Sequence, residues 1–174
     1  GGSSSQTANS NICFIASTLV QTDQGQEQIS NIIPGYHTID RKEIKFITET
    51  KTKDSHLYKL KRNALGKNIP SREMIVTGNH FVEYDGFMAS VRNLNFNKKV
   101  EKIEYKGEKL YNILMDKHEI IKVNNLNVET LHPNNLIARL YNNEQFQNME
   151  YEEKKQLIKK LNKRIEEQGL IKYN

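Results

Sequence analysis

An all-β body of many short strands followed by a charged α-helix is the fold class this sequence predicts, and three observations carry it. Apolar, β-branched and aromatic residues alternate in short runs from Ile12 to about Leu131. Turn-forming residues interrupt those runs at close spacing. After Pro133 the composition turns to Lys, Glu and Gln with apolar residues at helical intervals. Short strands so spaced point to a sandwich or barrel-like body.

Gly1 to Ser5 has linker composition and Gln6 to Asn11 is polar without periodicity, so these residues are expected to lie outside the fold, in a linker or flanking segment running to residue 12. The first strand is expected over Ile12–Val20, turning at Asp23-Gln24-Gly25, and a second over Ile29–Ile33, closing at Pro34-Gly35. Tyr36–Asp40, Glu43–Thr48, Leu57–Arg62, Glu73–Val76, His80–Tyr84, Val100–Tyr105, Lys109–Leu114 and Ile120–Val123 follow. Ile44, Phe46 and Thr48 show the alternation of a half-buried strand. Asp85-Gly86 and Asn124-Asn125 read as tight hairpin turns, because both residue pairs tolerate the left-handed backbone such turns need. Met88, Val91 and Leu94 sit at helical spacing and predict a brief helical turn over Phe87–Leu94.

Beyond Pro133, Leu157, Ile158, Leu161 and Ile165 form a narrow apolar stripe on a helix expected from Asn148 to Gln168, with Gly169 as its stop. The stripe predicts a solvated helix docked on the β body by one face; the sharper alternative is a helix that binds a partner or a coiled coil, for which the stripe is short. The expected organisation is therefore a flanking segment at 1–12, a β domain at 13–133 and a charged helical extension at 134–174.

A chain of 174 residues suits one domain, and 36% hydrophobic with 27% charged residues supports a packed core rather than disorder. No apolar run approaches the roughly 20 residues that cross a bilayer, and the leader lacks the basic and apolar regions of a signal peptide, so no membrane is expected. The net charge of +5, from 26 Lys and Arg against 21 Asp and Glu, is interspersed rather than clustered, which argues against nucleic acid as a partner. His37, His56 and His118 lack a metal-ligand spacing and there is no glycine-rich phosphate loop, so neither metal nor cofactor is expected.

Cys13 is the single cysteine, which excludes an internal disulfide and leaves core filler, free thiol or nucleophile as readings. Its position favours the last. A cysteine at the junction between a polar segment and a domain can attack the carbonyl of the preceding residue, converting the Ile12-Cys13 peptide into a thioester. That shift is uphill, so the site needs a proton donor for the leaving nitrogen and groups that polarise the bond. Thr77-Gly78-Asn79-His80, at the end of the strand Met74-Ile75-Val76, offers a hydroxyl and an imidazole that can converge on one peptide. His80 taken alone reads first as a turn histidine bonded to backbone.

These residues together resemble a known pattern. Cys13-Phe14 with Thr18, Ile29, Ile32 and Pro34-Gly35, the Thr77-x-x-His80 box, Gly86 with Ala89 and Leu94, then Leu110-Tyr111-Asn112-Ile113 with Val123-Asn124-Asn125, resemble in order and spacing the Hint superfamily, the self-processing domains of hedgehog proteins and inteins. The resemblance covers about Ile12 to Pro133. It implies a horseshoe-like all-β fold with pseudo-two-fold symmetry and chemistry without metal or cofactor. It also implies Cys13 as nucleophile, Thr77 and His80 as the pair that holds and polarises the scissile peptide, and His80 as proton donor to the leaving amine.

The departures from the pattern are informative. Hedgehog domains carry a further Asp that assists transfer of the thioester; the comparable stretch here reads Phe46-Ile47-Thr48-Glu49-Thr50, leaving Glu49 or Asp54 as candidates. Splicing inteins end in His-Asn followed by Cys, Ser or Thr, whereas this chain reads Val128-Glu129-Thr130-Leu131-His132-Pro133-Asn134-Asn135. With Val123-Asn124-Asn125 aligned to the family's end motif, Glu129-Thr130 falls where His-Asn should be. With His132 as helper, Asn134 could cyclise, but Asn135 is no nucleophile. The ending resembles a Hint subgroup without the splicing terminus.

The expected function is thus single-turnover autocatalytic cleavage at Ile12-Cys13, the chain's own flanking segment being the substrate and water, a thiol or an amine the acyl acceptor. His132 is read as a base near Cys13 or as a structural residue. A non-catalytic β domain with a helical tail for assembly is the alternative, and full splicing the third reading.

Overall fold

The computed structural model describes residues 12–167, so the polar leader before Ile12 and the helix stop expected at Gly169 lie outside the described residues. Alternating apolar positions build strands β1 (Phe14–Ile15), β2 (Leu19–Thr22), β3 (Gly25–Gln28), β4 (Thr38–Ile39), β5 (Lys42–Thr50), β6 (His56–Leu60) and β7 (Met74–Val76). Strands β8 (Phe81–Tyr84), β9 (Phe87–Ser90), β10 (Val100–Glu104), β11 (Leu110–Met115), β12 (Ile120–Val123) and β13 (Leu126–Glu129) complete the body. They form two antiparallel sheets, a seven-stranded one in the order β10-β6-β7-β1-β11-β5-β4 and a six-stranded one in the order β3-β2-β12-β13-β8-β9. The mainly β fold class holds.

Turn chemistry sets the registers. Asp85 and Gly86 have φ of 52° and 83°, and Asn124 and Asn125 have 47° and 63°, the paired left-handed residues of tight hairpins that join β8 to β9 and β12 to β13. The main core packs Phe14, Val20, Ile29, Met74, Val82, Ile113, Val123 and Val128 among others.

Four local expectations are corrected. The single strand expected over Ile12–Val20 is two, because the chain leaves the seven-stranded sheet after Ile15 and enters the six-stranded one at Leu19, with Thr18 N–H bonded to the Ile15 carbonyl across the bend. Ile29–Ile33 is not a strand: Ile29–Asn31 forms a 3₁₀ turn that drops Ile29 into the core. The helical turn expected over Phe87–Leu94 is half strand, since Phe87–Ser90 pairs with Phe81–Tyr84, and only Val91–Leu94 turns as a 3₁₀ helix. Among its described residues the tail holds three helices rather than one: α1 (Leu136–Tyr141), α2 (Glu144–Gln147) and α3 (Tyr151–Glu167).

The two short helices start at asparagines whose side chains cap them, Asn135 accepting from Ile137 N–H at 2.8 Å and Asn143 from Phe146 N–H at 3.1 Å. Helix α3 turns Ile158 inward and half-buries Leu157 and Leu161, as the stripe predicts. The tail is fastened to β5: the Tyr141 hydroxyl accepts from Glu49 N–H at 2.8 Å and donates to the Glu49 carbonyl at 3.2 Å. Lys109 Nζ donates to the Tyr151 hydroxyl at 2.7 Å and lies 3.6 Å from the Glu49 carboxylate. Glu49, a candidate acid from the sequence, is thus engaged with the tail.

Candidate functional site

Cys13 precedes β1 in the middle of the seven-stranded sheet, between β7 and β11. Phe14 pairs with Val76 on one side and with Tyr111 on the other, so the register carries Thr77 and Asn112 to the two flanks of the Ile12-Cys13 peptide. Ile12 and Cys13 are both buried.

The two atoms of that peptide bond are each held. The Cys13 N–H donates to Thr77 Oγ1 at 3.0 Å, while the Asn112 side-chain amide donates to the Ile12 carbonyl oxygen at 2.5 Å. The other end of the Asn112 amide is fixed, its oxygen accepting from Ile113 N–H at 2.7 Å, which settles which end of the group faces the carbonyl. Thr77 N–H closes the arrangement by donating to the Cys13 carbonyl at 3.2 Å.

His80 is fully buried, its ring tilted against Phe14 with centroids 4.4 Å apart. Its Nε2 lies 3.0 Å from the Glu129 carbonyl oxygen, an acceptor only, so Nε2 carries the hydrogen and Nδ1 the lone pair. Nδ1 is buried, and the Cys13 backbone, like that of Glu129, bears on the ring and favours its protonation. Burial holds the imidazole below its ordinary pKa, with the Glu129 carboxylate and the Glu129 and Cys13 backbones pulling the other way. The turn leading to His80 depends on Gly78: a Cβ there would stand 2.6 Å from Tyr58 Cε2, so only glycine lets Thr77 and His80 close on the peptide over that ring. Asn79, between them, has both amide atoms buried without a partner.

The thiol occupies a pocket of its own. Cys13 Sγ lies 3.3 Å from Thr50 Oγ1 and packs with Leu57 and Leu110, and burial pushes its pKa up to about 12, the Thr50 hydroxyl opposing and the nearby Asp54 carboxylate adding to the rise. The sulfur is therefore a neutral thiol at neutral pH and needs a base to become a nucleophile. Asp54 is partly buried with Oδ1 unpartnered, and desolvation lifts its pKa to about 6 against the pull of Arg92. Of the two acids the sequence offers, it is Asp54 that faces the sulfur electrostatically.

Glu129, the last residue of β13, is fully buried, its carboxylate accepting from Phe81 N–H at 2.9 Å and lying 3.0 Å from His118 Nε2. The His118 ring stacks at 5.2 Å on that of His132, whose Nδ1 accepts from Asn134 N–H at 3.0 Å. Cys13, Thr77 and His80 are therefore brought together, and His132 is linked to them through His118 and Glu129. Asn112, quoted in the sequence pattern but given no role there, is the residue that sequence reasoning missed. Among the described residues no group of three or more His, Cys, Asp or Glu side chains could hold a metal ion.

Comparisons with known proteins agree on the architecture. The family model of the Hint domain matches residues 12–135. The crystal structure of a variant of the Ssp DnaB mini-intein is similar with a TM-score of 0.50 and 12% identity, over 70% of this chain and 96% of that one. The gp41-1 intein has a TM-score of 0.46 and 20% identity, over 70% of this chain and 98% of that one. A DnaB intein from Synechocystis sp. PCC 6803 has a TM-score of 0.48 and 11% identity, over 69% of this chain and 99% of that one. No curated protein sequence matches the chain.

Proposed function

Because this chain belongs to the Hint domain family, we propose that it is a self-processing domain that cleaves its own leader at the Ile12-Cys13 bond. The observation that carries this reading is the grip on one peptide: Asn112 on its oxygen and Thr77 on its N–H, with the Cys13 thiol attached to the same residue. In the first step Cys13 Sγ attacks the Ile12 carbonyl carbon. The S–C bond forms, the C–N bond breaks, and the thiol proton ends on the Cys13 nitrogen, so that the step is an isomerisation from amide to thioester.

Each held atom has a task in that step. Asn112 stabilises the carbonyl oxygen as it gains negative charge, and the Thr77 hydroxyl keeps the nitrogen aligned as it leaves. His80, buried, held towards its neutral form and in contact with the Cys13 backbone, takes the thiol proton and returns it to the departing nitrogen, donating only after it has accepted. His132 acts through His118 and Glu129 as a positioning residue for His80. Splicing does not follow, since Glu129 and Thr130 carry no side-chain amide to cyclise and Asn135, after Asn134, is no nucleophile.

Incubating the full chain at neutral pH with and without dithiothreitol, while following intact mass, tests the reading. Thiol-accelerated release of the peptide from Gly1 to Ile12, leaving a fragment that begins at Cys13, is the expected result; an unchanging mass under both conditions rejects it.

Water, a thiol or an amine resolves the thioester, and Asp54 is the base that takes the proton of the incoming group. A carboxyl with a pKa of about 6 is a base only above that pH, so hydrolytic release without thiol should rise as pH climbs through about 6 and then level. In Asp54→Asn the inflection should vanish and the thioester should persist longer. A retained inflection would assign it to another group.

A further inference from the structure

The peptide that the proposed reaction breaks is also a border between two packing environments. Side chains alternate along an extended chain, so Ile12 and Cys13 point to opposite faces of the sheet. Cys13 packs with Leu57 and Leu110 of the β body. Ile12 is fully buried in a separate cluster with Leu114, Leu131, Ile137, Ala138, Phe146 and Ile158. Four of those six belong to the helical extension, Ile137 and Ala138 to α1, Phe146 to α2 and Ile158 to α3. Leu131, which leads the chain into the extension, bonds its N–H to the Ile113 carbonyl beside Asn112 and so carries the tail past the scissile carbonyl.

We infer that the helical extension forms the specificity pocket for the residue on the acyl side of the cleaved bond, a β-branched or similarly sized aliphatic side chain. The inference rests on the cleavage reading. An apolar side chain seated in that cluster fixes the Ile12 backbone where the Asn112 amide reaches its oxygen, and a side chain too small or too large leaves the carbonyl out of line. Cleavage also removes the occupant, because Ile12 departs with the leader. The processed protein therefore keeps a tail with a vacated pocket, and the extension loosens after the reaction.

Two measurements on the full chain test this. In the first, release by saturating dithiothreitol is followed with Ile, Val, Leu, Phe, Ala or Gly at position 12. Crowding at the acyl carbon alone makes release faster as the side chain shrinks. The pocket instead gives a maximum at Ile, Val or Leu, with Ala and Gly at least roughly tenfold slower, and Ile137→Ala moves that maximum towards Phe. In the second, amide exchange of α1 is compared between Cys13→Ala and the same chain with Ile12→Gly, neither of which needs to react; faster exchange in the glycine chain is expected. A steady increase in rate as the side chain shrinks, or an unchanged α1, overturns the pocket while leaving cleavage standing. Absence of release from every chain, the natural one included, overturns the cleavage reading and the specificity with it.

Discussion

Cys13→Ala should leave the Ile12-Cys13 bond intact, with or without thiol, for as long as the protein stays folded. No other described side chain offers a nucleophile attached to the same residue as the leaving nitrogen. A Thr50 or Thr77 hydroxyl would yield an ester on a different residue and would first have to give up a proton held far more tightly than that of a thiol. The fold should survive the change, since the small Sγ lies against the Thr50 hydroxyl and packs among apolar side chains, Leu57 and Leu110 included. A loss of about 1–2 kcal/mol is the scale for such a buried truncation. Circular dichroism and melting of Cys13→Ala therefore serve as the control, and intact mass as the readout. Release of the leader at an unchanged rate from a folded Cys13→Ala protein would remove the acyl shift from consideration.

In the proposed reaction the same thiol would let the bond persist until a base acts. With a pKa of about 12, thiolate at neutral pH is on the order of one molecule in 10⁵, so attack waits on a base rather than on encounter. Burial thus opposes reaction in the resting state, while the grip on the peptide favours it once the proton has moved.

How much of this is legible in the sequence differs by level. The β body is, because Ile44, Phe46 and Thr48 alternate along β5 and the Asp85-Gly86 and Asn124-Asn125 pairs can hardly be anything but tight turns. The break between β1 and β2 is not, because Ala16-Ser17-Thr18 contains neither glycine nor proline and the chain changes sheet there for tertiary reasons. Cys13, Thr77 and His80 are legible as a spacing. Asn112 is not: a lone asparagine in a strand reads as a polar outward position, and only the pairing of Phe14 with Tyr111 brings it opposite Cys13. Asp54 is ambiguous against Glu49 until the tail claims Glu49 through Tyr141 and Tyr151. The burial of Ile12 leaves no trace in local sequence at all, because its partners come from the far end of the chain.

Asn112→Ala should slow release of the leader by about 10²–10³-fold, the usual consequence of removing one donor from an oxyanion site. The Ile12 oxygen takes negative charge when sulfur adds to its carbon, and the Asn112 amide is already aimed at it, locked by the Ile113 N–H behind it. That preorganisation is worth more in the transition state than in the ground state, because the oxygen accepts more strongly as it charges. Losing the Ile113 partner as well costs on the order of 1 kcal/mol of stability, too little to unfold a domain and too little to imitate the kinetic effect. Asn112→Asp separates donation from size. An ionised carboxylate opposite the carbonyl cannot donate and repels the developing charge, so this variant should be at least as slow as Asn112→Ala at neutral pH. Protonation restores a donor, so its deficit relative to the natural chain should narrow on acidification, whereas that of Asn112→Ala stays constant. If both variants release the leader within threefold of the natural chain, Asn112 merely braces the strand, and the carbonyl must be polarised from elsewhere, the unpartnered Asn79 amide being a candidate.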